Sequence, residues 1–114
     1  MLRPILLAAV AVAATVAPAG AADFVMAGKP GRLETGFIGC RDKDDLSKVK
    51  SLFLAGDKEA AIKFVTRKIP DCRPFSEGVT GIVEENSVWS NSTCLRPKGE
   101  PDCFWLPMPF VKPQ

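Results

Sequence analysis

Four cysteines, Cys40, Cys72, Cys94 and Cys103, follow a stretch of 22 residues that reads as an export leader. Arg3 opens that stretch, an apolar run of Ala, Val, Leu and Ile fills residues 5–16, and the small residues Ala19, Gly20, Ala21 and Ala22 close it. A signal peptidase is expected to cut after Ala21 or Ala22. The remainder then meets an oxidising compartment, where an even set of cysteines pairs as disulfides. The expected location is periplasmic or secreted, in a bacterium, since the leader is short and alanine-rich.

Cleavage leaves 92 of the 114 residues as one small domain, residues 23–114. At that size a single core is marginal and covalent staples count for much. The mature charge is near neutral, which gives no electrostatic case for nucleic acid or an anionic membrane. No membrane-spanning apolar run follows Ala22, so no membrane insertion is expected after leader cleavage.

The chain has no histidine and no tyrosine. Ser-His-Asp and Cys-His catalytic arrangements are therefore excluded, as are imidazole ligands for zinc, copper or iron. The commonest general base is missing too. The reading is a non-enzyme with no cofactor and no metal.

Residues 23–39, rich in Gly and Pro, read as an extended lead-in, with a short edge strand at Phe24-Val25-Met26 or Phe37-Ile38. A helical pattern follows. Asp42 or Asp44 supplies the cap, and Leu46, Val49 and Phe53 form the apolar stripe. Gly56 is a left-handed stop, and Asp57 caps a second helix starting at Lys58, with Ala61, Val65 and Ile69 inward. Pro70 ends it. After Cys72, β-favouring residues and turn signals give three antiparallel strands near 78–84, 87–96 and 101–106. Prolines in the tail from Pro107 to Gln114 keep it out of a central strand. The expected fold is α+β: a disulfide-clamped two-helix hairpin followed by a three-stranded antiparallel meander.

Four cysteines allow three pairings, and spacing alone does not choose among them. Hairpin geometry narrows the set. A turn centred on Lys98-Gly99 sets Cys94 opposite Cys103 at a non-hydrogen-bonded site, which is close enough for a disulfide. Pro97 fits that tight turn poorly, and a wider loop is an alternative. Cys40 then pairs with Cys72 and clamps the helical hairpin. The intervals of 32, 22 and 9 residues between successive cysteines match neither zinc nor redox spacing.

Trp89 and Trp105 are the candidate binding residues. The hairpin register puts Trp89, Leu95, Phe104 and Leu106 on one face, and Trp105, Val88 and the Cys94–Cys103 bridge on the other. One face covers the helices, leaving the other free to present an aromatic to a ligand. Packing on the disulfide is the competing role for Trp105. Asp42, Asp44 and Asp45 lack the spacing of a calcium loop and read as helix caps. The helical lysines alternate with acids and read as a solvated face. Glu84 and Glu85 point to opposite faces as strand neighbours.

The run from Cys72-Arg73-Pro74-Phe75 through Gly78-Val79-Thr80-Gly81-Ile82-Val83-Glu84, then Cys94-Leu95-Arg96 and Phe104-Trp105, resembles small exported proteobacterial proteins of uncharacterised function. Its strand half is similar to bacterial SH3-like domains, in which a residue like Gly78 precedes the first strand and a late Trp closes the sheet. That resemblance implies binding of peptides or cell-wall material, with Trp105 as the candidate contact. The chain is accordingly read as an exported binding module for protein or envelope material, using sheet-edge and aromatic contacts. The alternative is an enzyme-directed inhibitor or secreted effector acting through a rigid loop at residues 97–101.

Overall fold

The computed structural model describes residues 24–114; the leader expected at residues 1–22 lies outside them. Its elements are β1 (Pro30–Leu33), β2 (Phe37–Cys40), α1 (Lys43–Leu54), α2 (Lys58–Lys68), β3 (Cys72–Phe75), β4 (Thr80–Ser87), β5 (Ser92–Pro97), β6 (Phe104–Pro107) and β7 (Val111–Pro113), with a 3₁₀ turn at Met108–Phe110.

All seven strands join one antiparallel sheet in the order β3-β2-β6-β5-β4-β1-β7. This corrects the expected helical hairpin plus three-stranded meander: the protein is mostly β. The lead-in supplies β1 and β2, and the proline-rich tail supplies β7. Short strands of four residues or fewer carry too little alternation to be seen in isolation. They are held in place by partners distant in sequence.

The sheet coils until distant parts of it meet. At one end of the strand order the ladders of β1 are extended, Glu34 N–H donating to the Phe110 carbonyl beyond β7 and Gly78 N–H to the Leu33 carbonyl ahead of β4, each at 2.7 Å. The Phe37 and Phe110 rings sit 5.6 Å apart. Inside the coil Leu33, Val83, Leu95, Leu106 and Val111 form one core, closed by Val25 and flanked by Phe75, Val79 and Phe110. Gly39 faces this interior, where an added Cβ would lie 2.8 Å from the Phe75 ring. Absence of a side chain there lets the sheet wrap tightly around its large residues.

The helices cover part of the outer face. Asp42 caps α1 by accepting from Asp44 N–H, and Asp57 caps α2 by accepting from Ala60 N–H. Gly56 takes the left-handed conformation between them (φ 80°), as the sequence leads one to expect. Leu46, Val49 and Val65 pack on Cys40, Cys72, Cys94 and Trp105 to make a second core. Ile69, expected inward, is 59% exposed. It follows the last helical residue, so the α2 stripe has already ended.

Both disulfides of the preferred pairing are present. Cys40–Cys72 joins directly opposed residues of β2 and β3, closing the ends of the helical hairpin. Cys94–Cys103 spans a Cα separation of 5.3 Å. The Lys98-Gly99 turn forms, with Glu100 N–H donating to the Pro97 carbonyl at 3.0 Å and Gly99 at φ 87°, but β5 and β6 do not pair symmetrically about it. Cys94 stands opposite Trp105 and Leu95 opposite Phe104, so a wider loop separates β5 from β6 and the bridge runs diagonally. A register shift between Val83 and Glu85 marks a bulge in β4, another feature that a uniform hairpin count omits.

Candidate functional site

The two tryptophans have opposite fates. Trp105 is 8% exposed and belongs to the core beneath the helices, beside Cys94. The Lys43 ammonium lies 5.2 Å from its ring centroid. Packing on the disulfide layer is thus its position. Trp89 is fully exposed, and Val88 beside it is 82% exposed. Neither lies on a sheet face as the register count supposed: β4 ends at Ser87, and both occupy the turn to β5.

That turn is fastened at several points. Asn91 N–H donates to the Val88 carbonyl at 3.2 Å, and Asn91 takes a positive φ of 52°, which Asn tolerates better than most residues. The Ser90 hydroxyl bonds to the Ser87 and Ser92 hydroxyls, each at 2.9 Å. The Lys50 ammonium reaches across from α1 to the Ser90 carbonyl at 2.8 Å. Burial pushes the Lys50 pKa below the ordinary lysine value. A large aromatic on an anchored turn binds without first losing much backbone freedom.

Apolar surface continues past Lys50 and Asn91 into a cleft of about 260 Å³ lined by Phe37, Phe53, Leu54, Pro107, Pro109 and Phe110. Phe53 also lines a second, almost wholly apolar groove of about 300 Å³ with Ile38, Ile62, Val65, Ile69 and Pro74. Sequence reasoning missed both. The available signal was Leu54 and Ile62, apolar residues standing off the inward stripes of their helices.

The sheet edges, by contrast, are poorly equipped to take up another strand. Arg41 N–H donates to the Asp71 carbonyl, which fixes the alternation of the β2–β3 pair. Cys72 and Pro74 therefore turn their backbone groups toward the open side of β3, and Pro74 has no N–H. On β7 the same logic turns Val111 and Pro113 outward. The Val111 N–H already donates to the Met108 carbonyl, and Pro113 has none. Edge prolines of this kind are a common guard against strand addition.

The loop at residues 97–101 is tied down. Lys98 N–H donates to the Thr80 carbonyl, and Glu100 pairs with Arg73 at 2.9 Å. Glu84 pairs with Arg96 at 2.7 Å, while Glu85 stands in no ion pair among the described residues. Asp45 pairs with Lys68, and Asp42 serves as a cap. Among the described residues no group of three or more His, Cys, Asp or Glu converges as a metal site, and no helix is long and apolar enough to cross a membrane. No protein-family model, curated protein or solved structure matches the chain.

Proposed function

We propose that this chain is an exported, non-enzymatic binding module, working in the bacterial periplasm or outside the cell, that engages protein or envelope material through the Trp89 turn. The observation that carries this reading is a fully exposed tryptophan held on an anchored turn. Tryptophan is enriched among the few residues that carry most of an interface's binding energy. Two disulfides support export, since such bonds persist in oxidising compartments. Kinship with bacterial SH3-like domains belongs to the same proposal and rests on the sequence phrase from Cys72 to Trp105.

Aromatic contact is favoured over strand addition because Pro74 and Pro113 occupy the two sheet edges. It is favoured over inhibition through residues 97–101 because that loop carries no large exposed apolar side chain, whereas Trp89 is fully exposed. The test is capture from envelope extract with the wild type and with Trp89→Ala. Capture that depends on Trp89 is the expected result; capture indifferent to it removes the proposal.

A further inference from the structure

We infer that the cleft beside Lys50 binds a small organic monoanion, an apolar carboxylate whose acid group meets the Lys50 ammonium and whose body lies against Phe37, Phe53 and Phe110. Trp89 does not line this cleft, so the inference goes beyond the Trp89 contact and stands or falls separately from it.

Three parts of the chain build the cleft. Lys50, Phe53 and Leu54 stand at i, i+3 and i+4 on α1 and therefore share one helical face. Phe37 comes from β2, and Phe110 from the 3₁₀ turn that follows β6. The rings pack on one another, Phe37 lying 5.3 Å from Phe53 and 5.6 Å from Phe110. Pro107 and Pro109 add carbon surface and have no N–H to offer a ligand. Met108 N–H donates to the Asn91 carbonyl at 2.9 Å, which ties this wall to the turn before β5. Little has to be ordered before a ligand enters.

Charge then selects the occupant. Lys50 is the only ionisable group lining the cleft among the described residues. It stands in no ion pair among them. Its partner, the Ser90 carbonyl at 2.8 Å, is neutral and takes one of the three ammonium donors. Exposed lysines leave their charge to water, but Lys50 is half-buried and loses part of that hydration, which is why its pKa is lowered. An unneutralised cation with spare donors at an apolar cleft is complementary to one negative charge on an apolar body. A phosphate dianion would bring a second charge, for which the lining holds no cation.

Size limits the body. The cleft volume of about 260 Å³ lies below the roughly 300–1,000 Å³ of sites for drug-sized ligands, so a single ring or a short alkyl chain fits. The groove along Ile62 and Ile69 has no charged group in its lining, and nothing there selects an occupant.

The test titrates protein recovered from the oxidising compartment of an expression host with phenylbutyrate, phenylbutanamide and acetate, followed by amide chemical shifts. Phenylbutyrate should bind saturably, with shifts centred on Phe37, Phe53, Leu54 and Phe110. The amide has the same shape without the charge and should bind roughly tenfold more weakly or worse, the scale of a hydrogen bond to a charged group. Acetate lacks the body and should not saturate. Lys50→Met should abolish the preference for acid over amide. Both ligands meet the same variant, so that ratio is unmoved by any loosening of the Ser90 turn. Leu54→Asp, at a position 87% exposed, should leave circular dichroism unchanged and weaken the acid more than the amide.

Equal affinity for acid and amide in the wild type overturns the inference, as does a preference that survives in Lys50→Met. Phenylbutyrate that fails to saturate overturns it as well. Shifts centred on Ile62 and Ile69 overturn it by moving apolar binding to the other groove. Shifts of the cleft residues that follow protein concentration without any acid overturn it and identify a second copy of the chain as occupant.

Discussion

The ammonium of Lys50 in α1 donates to the carbonyl oxygen of Ser90, 40 residues later in sequence, at 2.8 Å. One side chain thereby fastens the helical layer to the turn that presents Trp89. A hydrogen bond from a charged donor contributes about 1–3 kcal/mol, and partial exposure here places it toward the low end. Lys50→Met should lower global stability by about 1 kcal/mol or less, since the stem packing is retained. The larger effect should be local: amide exchange at Trp89 and Asn91 should accelerate, and Trp89-dependent binding should weaken. Unchanged exchange in the turn would show that the serine network alone holds it.

The same lysine gives a pH prediction. Its folded pKa lies below the ordinary value of 10.5 because burial disfavours the charged form. Between the folded and unfolded values the unfolded chain binds more protons, so stability rises with pH across that interval. Below the folded value both states are protonated and the contribution is flat. Urea midpoints should therefore move in favour of the wild type, relative to Lys50→Met, as pH climbs through the alkaline range toward 10.5. A difference that stays constant or falls would contradict desolvation as the cause.

Trp105 and Trp89 should separate stability from binding. Replacing buried Trp105 by Ala removes a large core side chain beside the disulfides, a change that typically costs about 3–5 kcal/mol. Replacing exposed Trp89 should change stability by about 0.5 kcal/mol or less. Denaturant unfolding followed by far-ultraviolet circular dichroism measures both. A large loss for Trp89→Ala would mean that the turn is structural and would undercut its assignment as a contact surface.

Gly39 offers a test of how tightly the sheet is wound. A Cβ at this position would stand 2.8 Å from the Phe75 ring and 3.1 Å from Leu106 Cδ2. Overpacking of this kind costs about 1–3 kcal/mol. Gly39→Ala should be destabilising by that amount, with Phe75→Leu in the same chain restoring part of the loss. Additive effects of the two substitutions would show that the ring is not the obstacle.

What could be read from the residues was local. Asp42, Gly56 and Asp57 act over one turn of chain, and each stands where its chemistry places it. Cysteine pairing was also accessible, because two sequential, non-crossing links suit a hairpin following a helical clamp. The seven-stranded sheet was not. Strands β1, β2 and β7 are three or four residues long, and their partners lie up to about 80 residues away (Gly31 opposite Pro113). No local periodicity encodes such a pairing, and loop-closure terms decide it only once the whole chain is assembled. Trp89 was read as a strand residue because its neighbours favour β structure. Pairing with β5 resumes after the bulge but stops at Ser87 opposite Ser92, and Trp89 falls in the turn between them. Trp105 keeps the face it shares with Cys94, and the helices bury that face.

The two disulfides should contribute unequally. Cys40–Cys72 closes a loop of 32 residues, and Cys94–Cys103 one of 9. In the chain-entropy description these lengths correspond to about 3.7 and about 2.6 kcal/mol of unfolded-state constraint. Packing widens the gap: Cys40 and Cys72 are completely buried, while Cys103 is only partly so. Replacing the first pair with Ala should lower the urea midpoint more than replacing the second. It should also release the helical hairpin from β2 and β3, seen as faster amide exchange in α2. Because the Trp89 turn lies outside both covalent loops and is held by Lys50 and three serines, its binding should outlast loss of the Cys94–Cys103 link. An equal or reversed order of destabilisation would show that the unfolded chain is not the state these bonds chiefly act upon.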